Sequence, residues 1–327
     1  MNVNAAAPTS SDVVCFGDLL MDFVPTQSGL DFGDLPTFVP VPGGAAANVA
    51  VGLAKLGVSS SFLGKVGDEP FGHILIDTLK REGVDTRSIR LETKARTALA
   101  FVTLTKDGER DFMFYRHPSA DMLFCPDDVD TGTIDQAKIF HFDSISLAAP
   151  QPRETALFAA DHAKGNDKLI SYDVNLRLPL WDSATEARDG IVEGIARADV
   201  VKLSDDELNF LTGSTAPDGI RKQLWHDGLR LVVLSLGKDG CMAITERGQQ
   251  LVPSLAVEVV DTTGAGDGFV AGLLSGIVTD GAVLDDDGAL TELCRFANAV
   301  GAITTTARGA IPSLPTRDQV DQSLARG

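Results

Sequence analysis

The stretch Asp261-Thr262-Thr263-Gly264-Ala265-Gly266-Asp267-Gly268-Phe269, DTTGAGDGF, sits late in a chain of 327 residues. Three readings of it compete: a phosphate cradle, a dinucleotide fingerprint, and an ordinary loop that opens a helix. The fingerprint needs GxGxxG directly after an apolar strand. Gly264 and Gly266 have its first spacing, but Phe269 holds the place of the third glycine, and DTT is not an apolar strand. Neither the P-loop pattern GxxxxGK[ST] nor the hydrolase pattern GxSxG occurs in the chain. The cradle reading fares better. Residues 268–278 are apolar nearly all round and predict a buried helix starting at or just before Asp267. Free N–H groups and the helix dipole there attract an anion, and the two glycines let a phosphate approach the backbone closely. Asp267 has two candidate roles, helix cap and general base. The loop alone does not choose between them.

Working outward, the chain is long enough to bury a core without metal or disulfide staples. Its 44% apolar and 6% aromatic content leaves Leu, Val, Ile and Ala to fill that core. The 46 acidic and 28 basic residues give a net charge of −18, which excludes a global basic footprint for nucleic acid. An anionic ligand must therefore be gripped locally. Cys15, Cys125, Cys241 and Cys294 are scattered and read as reduced thiols rather than as zinc ligands or disulfides. The start, MNVNAAAPTSSD, lacks the features of a secretory signal, and the longest apolar stretch is too short to span a bilayer. The expectation is a cytoplasmic protein with no membrane partner.

Runs rich in Val, Ile, Phe and Leu at 13–16, 139–142, 169–172, 200–203 and 231–235 read as buried strands, with helical patterns at 48–56, 153–163 and 184–198. This alternation implies a mainly parallel sheet covered on both faces, with ligands beyond the C-terminal strand ends. Polar residues fall there: Asp18, Asp173, Ser204 and Gly237. One region breaks the rhythm. In ALAFVTLTKDGERDFMFYR, residues 98–116, two extended runs flank Asp107-Gly108, a hairpin signal. Residues 21–42 are also extended. The two segments are expected to pair into a small sheet, read either as a lid over a ligand site or as an edge decoration.

A second glycine motif bears on Asp267. In VPGGAAANVAVGLAKLG, residues 41–57, Gly43-Gly44 lead into a helix that carries Asn48 one turn inside. Asn48 offers a donor and an acceptor to a polyol hydroxyl, and Asp18 can accept from two hydroxyls. Together with the cradle, these features favour the base.

With these residues in view, the chain resembles the ribokinase-like sugar kinases from about Val13 to Thr316. GGAAANVAVGLAKLG is similar to that family's first signature and VDTTGAGDGFVAGLL to its second. RDFMFYRHPSADMLF, YDVNLRLPLW and GAIPSLPT resemble the fructokinase branch. The resemblance implies a three-layer α/β/α sandwich with a mainly parallel central sheet and a small β-sheet lid. It divides the chain into a discontinuous core, residues 11–21, 43–95 and 121–316, and a lid, 22–42 and 96–120. It also implies transfer of the ATP γ-phosphoryl group to a sugar hydroxyl, fructose above all.

Carried over residue by residue, Asp267 is the base, and Gly264, Ala265 and Gly266 form the anion hole, with Arg177 offsetting charge. Asp18, Gly43, Gly44, Asn48 and Arg116 hold the sugar. Asp173 and Asn175 lie near the phosphates, with Asn175, Ser235, Gly237, Gly240, Gly264, Gly266 and Asn298 toward the nucleotide. Glu207 meets Mg²⁺ through water. Asp261, Thr263 and the Gly309 loop hold a monovalent cation such as K⁺. A homodimer through the lid is a further expectation. The chain departs from the family in carrying Val174 for proline, Ser204 for asparagine, His117 where asparagine is frequent, and GAAANVA for GAPANVA. The Ser204 departure puts that position's part in the magnesium network in doubt. Within kinases, the tyrosine–arginine pair Tyr115-Arg116 and the DVNLR motif leave 2-keto-3-deoxygluconate as a second candidate substrate, with ribose behind it. A catalytically silent scaffold is the reading from another class.

Overall fold

Val13 and Cys15 pack into one apolar cluster and Val14 and Phe16 into another, on opposite sides of the same four-residue strand. Side chains alternate across a strand, so a run apolar at every position must be buried on both faces. The computed structural model describes residues 10–27, 29, 32–34, 37–104 and 110–326. In chain order its strands are β1 (Val13–Phe16), β2 (Leu20–Pro25), β3 (Phe38–Gly43), β4 (Ser60–Gly67), β5 (Ile89–Glu92), β6 (Leu99–Leu104), β7 (Arg110–Tyr115), β8 (Ile139–Asp143), β9 (Leu169–Asp173), β10 (Val200–Ser204), β11 (Leu231–Ser235), β12 (Cys241–Thr245) and β13 (Gly248–Val252). The helices that position the site are α1 (Ala45–Lys55), α2 (Pro70–Arg81), α3 (Thr131–Gln136), α4 (Pro150–Gly165), α5 (Ala184–Ile195), α6 (Asp205–Thr212), α7 (Ala265–Thr279) and α8 (Asp287–Thr304).

Nine strands form one sheet in the order β13-β12-β11-β10-β9-β8-β1-β4-β5. It is parallel except where β12 turns back on β11 and β13 on β12. Residues of α1, α2, α7 and α8 fill the core on one face, and residues of α3 to α6 fill it on the other, giving three layers. The five strands expected from sequence are all present. Of the four others, β4, β5 and β13 carry Gly, Lys, Gln or Arg inside short extended segments, and β12 is a five-residue run, CMAIT, that pairs antiparallel between β11 and β13. The order in which the chain adds strands reverses between β1 and β8, which is where such folds open a crevice at their C-terminal strand ends.

The second sheet has the order β3-β2-β6-β7. As expected, the early segment pairs with the later one: Met21, Asp22 and Phe23 run parallel to Leu99, Ala100 and Phe101. β6 and β7 pair as an antiparallel hairpin, and the Asp107-Gly108 turn lies outside the described residues. Phe23 stacks on Phe101 at 4.7 Å between ring centroids and meets Phe71 of α2 edge-on, which fixes this sheet against the core. The acidic run 285–287 is accounted for locally. Asp285 pairs with Arg230, Asp286 caps α8 at the Ala289 N–H, and Asp287 pairs with Arg247. All four cysteines are free, three of them buried. No helix among the described residues is long and apolar enough to cross a membrane.

Candidate active site

α7 begins at Ala265, two residues ahead of Asp267, and its N-cap Gly264 is left-handed at φ 77°. No side chain caps this helix, and the Ala265 N–H turns back to the Thr262 carbonyl at a long 3.3 Å. Asp267 therefore stands in the first turn and is not the cap, which removes one of its two candidate roles. Its Oδ2 accepts a 2.7 Å hydrogen bond from Asn48 Nδ2, 219 residues away in sequence. α1 packs directly on α7, and this contact brings the two glycine motifs together. Burial pushes the Asp267 carboxyl up to about 6, against the opposing pull of the Asn48 bond and with the Asp173 charge adding to the rise. Asp267 is only half-buried as a residue, because its carboxylate opens on a cavity.

Two cavities meet at this turn. One, of about 250 Å³, is lined among others by Asp18, Asp22, Gly44, Asn48, Asn175 and Asp267. Leu20, Asp22 and Phe114 of the small sheet close one side of it. The other, of about 570 Å³, has Ser235, Gly237, Gly240, Ala265, Gly266 and Asn298 in its wall. Thr262 and Gly266 border both. The wall of the first cavity holds buried polar atoms with no partner among the described residues: Asp18 Oδ1, Asn48 Oδ1 and Asn175 Nδ2. Two acceptors and a donor around one small space complement a ligand rich in hydroxyls.

Gly44 holds φ 119° at the N-cap of α1, and a Cβ there would collide with the Asp18 carbonyl oxygen. Gly44→Ala is expected to cost about 2 kcal/mol or more of stability through strain and overpacking together, read as a lowered midpoint of thermal or urea unfolding. Asp18 follows β1 and is raised from the ordinary carboxylate range by burial, with Arg116 acting against the rise. At the end of β8, Asp143 caps the turn that follows it through the Ile145 and Ser146 N–H groups. Burial, then Asp18 and Asp173, hold the Asp143 carboxyl well above its usual range.

The structure does not bring every expected residue to a cavity wall. Arg116 is 7% exposed and is engaged by Asp121 through Nε, at 2.9 Å, and through its terminal nitrogen. Gly43 lies behind the wall, where a Cβ would meet Asp22 Oδ2. Asn175, expected toward the nucleotide, lines the smaller cavity with Arg177. It is buried at φ 35°, a conformation asparagine tolerates better than most residues. Asn298 lines the larger cavity with its amide donating to the Val252 and Pro253 carbonyls.

For metals, the residues fit indirect contact. Glu207 lines the smaller cavity, yet its two oxygens already accept the N–H groups of Leu176 at 2.8 Å and Ser204 at 2.7 Å. Ser204 in return caps α6 at the Glu207 N–H, so this position works as half of a capping box. Each Glu207 oxygen retains a lone pair suited to a metal-bound water. Asp261 takes the Thr263 N–H and hydroxyl on one oxygen and the Gly309 N–H on the other. It thereby ties together the two loops whose backbone carbonyls would have to surround a monovalent cation. Among the described residues no cluster of three or more His, Cys, Asp or Glu side chains could hold a metal directly.

Two residues in this region were not singled out from the sequence, Asp143 and Lys202. Lys202 stands in the otherwise apolar run VVKLS of β10, is 9% exposed, and points its ammonium at both oxygens of Asp173, at 3.1 and 3.3 Å. A charged side chain inside an apolar strand was the available signal.

Comparison with known proteins agrees with this arrangement. Residues 10–317 match the model of the pfkB family of carbohydrate kinases. The chain is 52% identical over 316 residues to a protein of Arabidopsis thaliana named probable fructokinase-4, covering 96% of this chain and 97% of that one. Among solved structures it is similar to a fructokinase from Xylella fastidiosa with bound ATP, at TM-score 0.89 and 33% identity over 96% of this chain and 98% of that one. It is also similar to a fructokinase from Vibrio cholerae O395 bound to fructose, ADP and calcium ion, at TM-score 0.87 and 34% identity over 96% and 99% of the two chains. A double mutant of the Vibrio enzyme, bound to fructose, ADP and potassium ion, matches at TM-score 0.86 and 34% identity over 97% and 99%.

Proposed function

The chain belongs to the pfkB family of carbohydrate kinases, and from that premise we propose that it phosphorylates fructose at the expense of ATP, with Asp267 as general base. One observation carries the reading: the two cavities share Gly266, the residue next to that carboxylate. The fructose, ADP and ATP in the solved relatives support the same assignment.

In this mechanism the sugar fills the smaller cavity and donates hydroxyls to Asp18 and to the side-chain amide oxygen of Asn48. Asp267 accepts the proton of the attacking hydroxyl. The γ-phosphoryl group arrives over the open first turn of α7, where Gly264, Ala265 and Gly266 present N–H groups. Arg177, on the wall of the same cavity, offsets the charge that spreads over the phosphoryl oxygens. The small sheet, residues 22–42 and 96–120 in our division of the chain, acts as a lid. Through Asp22 and Phe114, with Leu20 beside them on the core side of that boundary, it excludes water and so limits wasteful hydrolysis. Glu207 would hold a magnesium ion bound with the nucleotide through water, and that ion would supply neutralisation of phosphate charge. A potassium ion between the Asp261 and Gly309 loops would steady the start of α7.

Arg116 is locked to Asp121 and so offers little to a substrate carboxylate, which weighs against ketodeoxygluconate. A coupled ADP-release assay across fructose, ketodeoxygluconate, ribose and glucose is expected to show fructose with the highest kcat/KM. Preference for ketodeoxygluconate, or no sugar-stimulated turnover, would overturn the reading. The pH profile carries its own test. Asp267 can accept a proton only when ionised, so kcat is expected to rise with pH through about 6 and then level off. We also read a homodimer through the lid, supported by Val39, Met113 and Tyr115 exposed on the small sheet, and sedimentation would test it. The free thiols agree with a reducing compartment, the cytoplasm in our reading.

A further inference from the structure

Lys202 shares its face of β10 with Val200, the face on which α1 and α7 pack. At the C-terminal end of the strand that face meets the first turn of α7. A Cβ built on Gly266 would stand 3.2 Å from Lys202 Nζ, with nothing else nearer than the next carbon of the same lysine. Lys202 also lines the smaller cavity. Its ammonium therefore sits at the point where the two cavities join. An ammonium has three donors, and among the described residues its hydrogen bonds run to a single carboxylate, that of Asp173. On stability alone the pair is poorly explained, because buried ion pairs are commonly matched or bettered by apolar residues of similar size. The neighbouring interior positions of this strand, Val201 and Leu203, are apolar.

We propose that Lys202 is a phosphoryl-facing cation, held by Asp173 so that one N–H reaches an oxygen of the group crossing from ATP to the sugar beside Gly266. This inference rests on the phosphoryl-transfer reading above. Arg177 lines the same small cavity, so two cations would flank the transfer point. Asp173 fixes one of them against a rigid strand, while the backbone N–H groups of α7 supply the rest. Held in place before the nucleotide arrives, the ammonium needs no reorganisation at the moment of transfer. Burial disfavours its charge, but Asp173, Glu207 and Asp267 more than compensate and raise its pKa, so it enters the reaction protonated.

The test is Lys202→Met, with wild-type turnover on ATP and fructose measured in parallel. Absence of turnover in the wild type would sink the kinase reading itself, not this one. Given an active wild type, kcat in K202M is expected to fall about 100-fold or more, comparable to loss of one preorganised donor, with KM for fructose changed less than about threefold. ADP with aluminium fluoride and fructose should bind K202M no more tightly than ADP with fructose, whereas the wild type should discriminate between them. Where K202M does not fold, the Lys202→Met, Asp173→Asn double variant removes both charges together and is compared with Asp173→Asn alone. A kcat within about threefold of the reference, or retained discrimination for the fluoride complex, would reduce Lys202 to a neutralising partner of Asp173 and overturn the proposal.

Discussion

Asp267→Asn is expected to lower kcat by roughly 10²–10⁴, the range for loss of a general base, while fructose binding changes little. Asparagine keeps the size of the side chain and can still accept from Asn48 Nδ2, so the wall of the cavity stays in place. What is lost is the capacity to hold the hydroxyl proton. The same substitution should change stability in the opposite sense. Burial raises the Asp267 carboxyl to about 6 from its ordinary value of 3.8, so the folded chain binds more protons than the unfolded one between those limits. Stability contributed by this group therefore falls as pH rises through that window. The substituted amide does not ionise, and the variant should melt at a higher temperature than the wild type above about pH 6. Steady-state kinetics and thermal unfolding on either side of the window, at about pH 5 and about pH 8, check both halves. Turnover within about tenfold of the wild type would leave Asp267 as a structural residue.

Gly266→Val is expected to cost about 100-fold or more in kcat at saturating ATP and fructose, with the fold intact. The position lies in regular helix, so valine meets no backbone obstacle. The space beside it belongs to the junction of the cavities, and the first atom a Cβ would press on is Lys202 Nζ. Two further methyl groups would occupy the path of the phosphoryl group. A displacement of about 1 Å in such a reaction is enough for a loss of this order. Near-normal turnover would mean that the phosphate does not pass close to this backbone. An unchanged melting temperature alongside lost activity would separate obstruction of the site from damage to the fold.

Much of the molecule was legible in the chain alone. The runs at 13–16 and 231–235 announce strands buried on both faces, because successive apolar side chains leave neither side suited to water. The pair GG at 43–44 and GAG at 264–266 announce close backbone approach, because a Cβ at those points would collide with a neighbour or block a ligand. Strand β13 was not legible, since Gln249 and Gln250 give no apolar period and only the antiparallel pairing with β12 makes it part of the sheet. Arg116 was legible as a charge near the site but not as one engaged by Asp121 five residues later, which depends on how the chain turns between them.

The sequence by itself determined the inventory: which backbone stretches can bend tightly, which side chains can move a proton, and which segments must be hidden from water. These are properties of residues and their near neighbours. The tertiary structure alone decided which of those parts share a space. The packing of α1 on α7 sets Asn48 against Asp267, and the parallel register of β9 and β10 sets Lys202 against Asp173. Partners 219 and 29 residues apart are joined by side chains packing across layers and strands, and no local pattern encodes that distance.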